Sequence, residues 1–199
     1  MNESDDSAVR AARAGDTRAF ERLVDRHKNR LFAMLVRLTG DAEAAEELAH
    51  EAFVRAYRGL ARFRGEASFG TWLIQIAVNL ARDRVRERRR DRTVSLDALL
   101  ERDEDSPVFT DSRPGHDALV AVTERDLIRH FESALQELPP AYREAFVMHH
   151  IEDMPYAAIA EATGDSVGSL KVRVHRARRL LKEKLFPAAA RMATGDVIE

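Results

Sequence analysis

Apolar residues in the first hundred positions recur every three or four residues, the period of helices that each bury one face. Phe20, Leu23, Val24, Leu31, Leu35 and Leu38, with His27 among them, form one stripe. It predicts a helix that starts after Asp16 and is stopped by "TGD" at residues 39–41. A second stripe, Ala45, Leu48, Ala52, Ala56 and Leu60, predicts a helix from about Asp41 to about Gly59. A third helix should begin around Ser68 and carry Trp72, Ile76 and Leu80. No alternation long enough for a strand interrupts this field, and all six prolines lie at or beyond Pro107.

The pattern changes over residues 93–121, where acids, serines, two prolines and a glycine replace the stripe, as in a linker. Helical periodicity returns near Thr123 and breaks at Pro139-Pro140, after which three short helices are expected at roughly 141–151, 155–163 and 166–186. The expected fold is therefore all-α. Two small helical domains, residues 1–92 and 122–187, are joined by a flexible acidic linker, 93–121, and followed by a short tail, 188–199.

The last two helices have a specific form. Pro155 suits a first helical turn, Gly164 suits the left-handed residue that ends a helix, and Ser166 can cap the next one. Two helices joined by a short glycine-containing turn make a helix-turn-helix, whose second helix enters a DNA major groove. On that second helix, Val167, Leu170, Val174, Ala177, Leu181 and Leu185 share one stripe. Gly168, Ser169, Val172, His175, Arg176 and Arg179 lie opposite, flanked by Lys171, Arg173, Arg178 and Lys182. Gly168 and Ser169 let backbone approach phosphate at the positive end of the helix. Lys171, Val172, Arg173, His175 and Arg176 are placed to reach base edges, and Arg178, Arg179 and Lys182 to hold phosphates.

Charge sharpens this picture more than composition does. The 199 residues carry a formal net charge of only −2, yet residues 171–184 hold seven Lys or Arg against one acid. Residues 82–92 hold seven Arg against three acids. A helix stabilised only by its own surface would pair Glu with Lys at i,i+4, so an unbalanced cationic helix calls for an anionic partner. The opposite holds for residues 41–51, with five acids and no Lys or Arg. Glu43, Glu47 and Glu51 fall on one face with His50 and Val54, away from the apolar stripe, and like charges at this spacing call for a basic partner. Cysteine is absent, which removes disulfides and thiolate metal sites and fits a reducing compartment. With no membrane-length apolar run and no secretion signal at the start, the chain reads as a soluble cytoplasmic protein.

Two blocks in this order resemble the small extracytoplasmic-function (group IV) sigma factors of bacterial RNA polymerase. "GDAEAAEELAHEAFVRAYRGLARFRGEASFGTWLIQIAVNLARDRVR" looks like that family's region two, and "ALQELPPAYREAFVMHHIEDMPYAAIAEATGDSVGSLKVRVHRARRLLKEKL" looks like its region four. The resemblance implies a subunit without catalytic activity, cofactor or metal that binds core RNA polymerase and directs it to promoter DNA. Region four would read the minus-thirty-five element through Ser169, Lys171, Val172, Arg173, His175, Arg176 and Arg179. Region two would read and melt the minus-ten element through Phe63, Arg64, Gly65, Trp72, Asn79, Arg82 and Arg86. Arg89 and Arg90 would continue the phosphate contacts, and Phe63 is the ring expected to meet an unpaired base. Phe69 and Trp72 are expected to pack first in the core. Asp41, Glu43, Glu47, His50, Glu51 and Val54 would grip the clamp helices of the largest polymerase subunit, with the flap as a further contact. The resemblance also implies an anti-sigma factor as partner. The chain departs from the family at Ala158, His50 and Ser169-Leu170, where Glu, Gln and Thr-Val are frequent.

Three other functions compete with this reading. A stand-alone helix-turn-helix regulator of duplex operators would need neither the acidic face nor the aromatic loop. A helical scaffold would leave the arginine helix unexplained. A metal or catalytic site at "MHHIED", residues 148–153, would place His149 and His150 about 100° apart on a helix, without the i,i+4 spacing of a helical zinc pair.

Overall fold

The computed structural model describes residues 4–96 and 124–186, with side chains of 87–96 and 124 outside the description. The expected roles of Arg89 and Arg90, the linker beyond Leu96 and the tail fall outside the described residues. Among the described residues eight α-helices follow in order: α1 Asp5–Arg13, α2 Thr17–Thr39, α3 Ala42–Gly59, α4 Phe69–Leu96, α5 Glu124–Gln136, α6 Pro140–Phe146, α7 Tyr156–Thr163 and α8 Val167–Leu185. A 3-10 turn, Leu60–Arg62, follows α3, and a π-helical turn, Val147–Ile151, follows α6. Among the described residues there is no strand.

Local chemistry sets most of these boundaries. The carboxylate of Asp16 accepts from the Ala19 amide at 3.2 Å and starts α2. Gly40, in the left-handed region with φ 71°, ends it. Asp41 then caps α3, accepting from the amides of Glu43 and Ala44 at 3.0 and 3.1 Å. Helix α1 was not foreseen; Ser4 caps it, Asp5 and Asp6 stand in its first turn, and Ala8 and Val9 are its buried residues. Asp5 ties it to α2 through Arg26 and His27, each at 2.7 Å. Helix α4 runs to Leu96, four residues into the segment read as linker.

In the first domain, the stripes of α2, α3 and α4 meet over Leu23, Leu31, Leu35, Leu48, Ala52, Leu73, Ala77 and Val78. The second domain closes around Leu135, Met148, Ile159, Leu170 and Val174, with α8 packed on α5, α6 and α7.

The two domains touch. The last carbonyls of α2, which a helix leaves unpaired, accept from the second domain: Gln136 Nε2 donates to Arg37 O at 3.0 Å, and Arg143 Nη2 to Leu38 O at 3.0 Å. A Cβ on Gly40 would come within 2.9 Å of Gln136 Oε1, so glycine serves both the turn and the contact. Arg37 pairs with Glu132 at 2.9 Å, and Arg30 with Glu152 at 2.6 Å. Arg30 also donates to the Glu152 carbonyl at 3.0 Å. Glu152 is 5% exposed and is the one buried charged residue among those described.

Candidate nucleic-acid interface

The helix-turn-helix is built as its residues dictate. Gly164 ends α7 with φ 71°, its amide donating to Ala160 O at 2.8 Å, and Ser166 Oγ accepts from the Ser169 amide at 3.1 Å to start α8. Leu170, Val174, Ala177 and Leu181 are buried, whereas Val167, assigned to the same stripe, is 37% exposed because it sits at the open first turn of the helix. Outward stand Lys171, Val172, His175, Arg176, Arg178, Arg179 and Lys182; Val172, 51% exposed, is an apolar side chain held in water. Ser169 is half-buried.

The cations on this helix are not equivalent. Arg176 Nη1 donates to the Tyr142 hydroxyl at 3.0 Å, a bond that raises the arginine pKa. Arg179 lies 3.6 Å from Glu183. Lys171 Nζ sits 5.9 Å from the centre of the Tyr156 ring, and His149 stacks on that ring at 4.0 Å. Arg173 is held: its two terminal nitrogens donate to the two oxygens of Asp165, both at 2.8 Å.

Asp165 also accepts from Arg82 of α4, at 2.8 Å. Arg82 further engages both oxygens of Glu144, at 2.6–3.0 Å, and the Thr163 carbonyl. Burial alone would disfavour the Asp165 carboxylate, but the bonds from Arg173 and Arg82 outweigh it and hold its pKa below the ordinary aspartate value. Burial likewise opposes the Arg82 charge, and Glu144 and Asp165 reverse that effect. The arginines expected to contact two promoter elements thus meet on one carboxylate, a convergence no local pattern announces.

The aromatic loop differs from expectation at one residue. Phe63 is 9% exposed, with its ring 4.8 Å from Trp72 and 6.3 Å from Phe69. It forms the floor of the loop, because apolar partners from α4 lie beneath it. Arg64, Gly65 and Glu66 are the exposed surface, with Gly65 in the left-handed region at φ 75°. Trp72 is half-buried, Phe69 is 1% exposed, Asn79 faces solvent, and Arg86 is exposed and approaches Asp83 at 3.4 Å. Arg13 of α1 donates to the carbonyls of Phe63 and Ala61 at 3.4 and 3.3 Å, supporting the loop from an unforeseen helix.

On α3, Glu43, Glu47 and His50 are exposed, and Glu51 and Val54 are half-buried. Glu47 pairs with Arg84 at 2.5 Å and Glu51 with Arg55 at 2.8 Å. The Asp41 carboxylate is engaged in capping. Of "MHHIED", His149 faces Met154 O at 3.0 Å, Glu152 meets Arg30, and burial beside His149 and Arg178 lowers the pKa of His150. Among the described residues, no three such side chains converge as metal ligands, and no helix is long and apolar enough to cross a membrane.

A helix-turn-helix with a cationic outer face, and another helical domain that carries both an acidic helix, α3, and an arginine-bearing one, α4, define a two-domain helical protein of the nucleic-acid-binding class. The Sigma-70 region 2 family matches residues 23–91, and the Sigma-70 region 4 family matches residues 128–181. The ECF RNA polymerase sigma factor SigW of Bacillus subtilis is 32% identical over 181 residues, covering 89% of this chain and 94% of that protein. The RNA polymerase sigma-H factor of Pseudomonas aeruginosa is 33% identical over 190 residues, covering 93% and 95%. The sigma factor RpoE of Bartonella quintana, solved with the anti-sigma factor NepR, superposes with a TM-score of 0.62 at 25% identity, covering 83% and 96%. CnrH, solved with the cytosolic domain of CnrY, gives 0.60 at 25%, covering 92% and 97%. The chain belongs to the ECF family of RNA polymerase sigma factors, the subunits that direct promoter-specific transcription initiation.

Proposed function

We propose that the two domains divide the promoter between them, residues 122–187 reading the upstream element and residues 1–92 the minus-ten element. The upstream contacts are Ser169, Lys171, Val172, Arg173, His175, Arg176 and Arg179. Arg64, Gly65, Trp72, Asn79, Arg82 and Arg86 form the minus-ten surface, and Phe63 joins it only if its ring leaves Trp72. Glu43, Glu47, His50, Glu51 and Val54 face the polymerase clamp, with Asp41 holding the helix that presents them. The chain acts in the cytoplasm without catalysis of its own. A solved relative captured with an anti-sigma factor supports a partner of that kind, which covers these surfaces until a signal removes it.

One observation carries this reading: α8 turns Lys171, Val172, His175 and Arg176 outward from a buried face, while α3 turns Glu43 and Glu47 outward from another. The opposite signs require different partners. The test is transcription in vitro from a promoter library with purified core polymerase. Defined starts that depend on the added chain support the proposal; tight duplex binding with no starts favours the stand-alone regulator instead.

A further inference from the structure

The arginines of α8 are held in two ways. Arg173 gives its two terminal nitrogens to the carboxylate of Asp165, both at 2.8 Å, and Arg179 lies 3.6 Å from Glu183, so acids offset these two charges. Arg176 instead donates through Nη1 to the hydroxyl of Tyr142 at 3.0 Å. A neutral phenol accepts that bond without bringing a negative charge, so the guanidinium keeps its full attraction for DNA.

Tyr142 is a firm anchor for this contact. It stands in the first turn of α6, where Pro140 opens the helix and the Tyr142 amide donates to Pro139 O at 2.8 Å. Its side chain is half-buried against the core of the second domain, and α6 packs directly on α8. Arg176 itself is exposed on the outward face of α8, with Val172 and His175. An exposed arginine with no such anchor samples many rotamers, and fixing it at the moment of binding costs about two- to tenfold in affinity. The bond to Tyr142 places part of that cost in folding. It uses one N–H of the guanidinium and leaves the edge formed by Nε and Nη2, whose two parallel donors match O6 and N7 of guanine.

We propose, on the division of the promoter given above, that Tyr142 is a positioning residue that holds Arg176 in register with one base pair of the upstream element and so sets specificity there. Tyr142 acts through Arg176 and touches no base. Loss of its hydroxyl removes no charge and no phosphate contact, so discrimination at that base pair falls while the salt-dependent part of binding stays.

The test is transcription in vitro by holoenzyme, assembled from core polymerase and the full chain, on a promoter library randomised across the upstream element. Arg176→Ala should flatten the base preference at one position. Tyr142→Phe, which removes only the hydroxyl, should weaken the preference at that same position about threefold. Added to Arg176→Ala, it should change nothing further. The dependence of promoter affinity on salt should match the parent for Tyr142→Phe. A parent-like preference profile for Tyr142→Phe overturns the positioning role alone. A loss spread evenly over the element, or one that persists without Arg176, also overturns it and marks a tyrosine that serves only the fold. Starts that depend on the chain but ignore the upstream element contradict the division of the promoter, and the positioning role with it.

Discussion

Arg173 and Arg176 stand three positions apart on α8 and meet different surroundings. Arg176 donates to Tyr142 through one nitrogen and is otherwise open to solvent, so the rest of its guanidinium is available to DNA. Arg176→Ala should reduce use of the upstream element on the order of tenfold in a transcription assay, with core binding unchanged. Asp165 titrates below the ordinary aspartate value near 3.9. In that range the unfolded chain holds more protons at this site than the folded one, so the stability it contributes is complete above the ordinary value and is lost as pH falls through the depressed one. Denaturation between pH 5 and pH 2 should lose stability more shallowly for Asp165→Asn than for the parent. The charged outer face of α8 was legible from periodicity and charge alone. The buried position of Phe63 was not, because loop membership says nothing about which side of the loop faces α4.

At the scale of elements, α3 combines a cap, a stripe and an acidic face. Asp41→Ala should lower stability by about 1 kcal/mol, whereas Asp41→Asn, which can still cap, should leave both stability and core binding near the parent. Glu47→Lys puts a cation where the polymerase is expected to meet an anion, and also breaks the pair with Arg84. Core binding, measured by competition, should fall before any loss of DNA affinity. Helices α2, α3, α7 and α8 were legible because Asp16, Asp41, Gly40, Gly164 and Ser166 mark their ends chemically. Helix α1 carried the Ser4 cap and the acidic first turn too, but it buries only Ala8 and Val9, too small a stripe to stand out from a polar terminus. The π turn at Val147–Ile151 has no sequence signature of its own; it brings Glu152 inward to Arg30.

The whole molecule is held by contacts between residues far apart in the chain: 62 positions from Arg82 to Glu144, 122 from Arg30 to Glu152. Helical periodicity does not extend between elements, so the two domains were legible and their joining was not. The Arg30–Glu152 pair makes an asymmetric prediction. Its glutamate side chain is 2% exposed and its arginine 55%. Arg30→Ala leaves a buried carboxylate without its cation, while Glu152→Gln leaves an arginine that water can reach. Arg30→Ala should therefore cost more stability in denaturant unfolding, by about 1–3 kcal/mol; equal losses would show that Glu152 reaches solvent once the arginine is gone.

The division of the surface by sign is tested most directly by measuring core-polymerase affinity and upstream-element use side by side for Arg176→Ala and Glu47→Lys. The account predicts a crossed result, with Arg176→Ala defective only on DNA and Glu47→Lys defective first in assembly. Parallel losses in both measurements for both variants would contradict it.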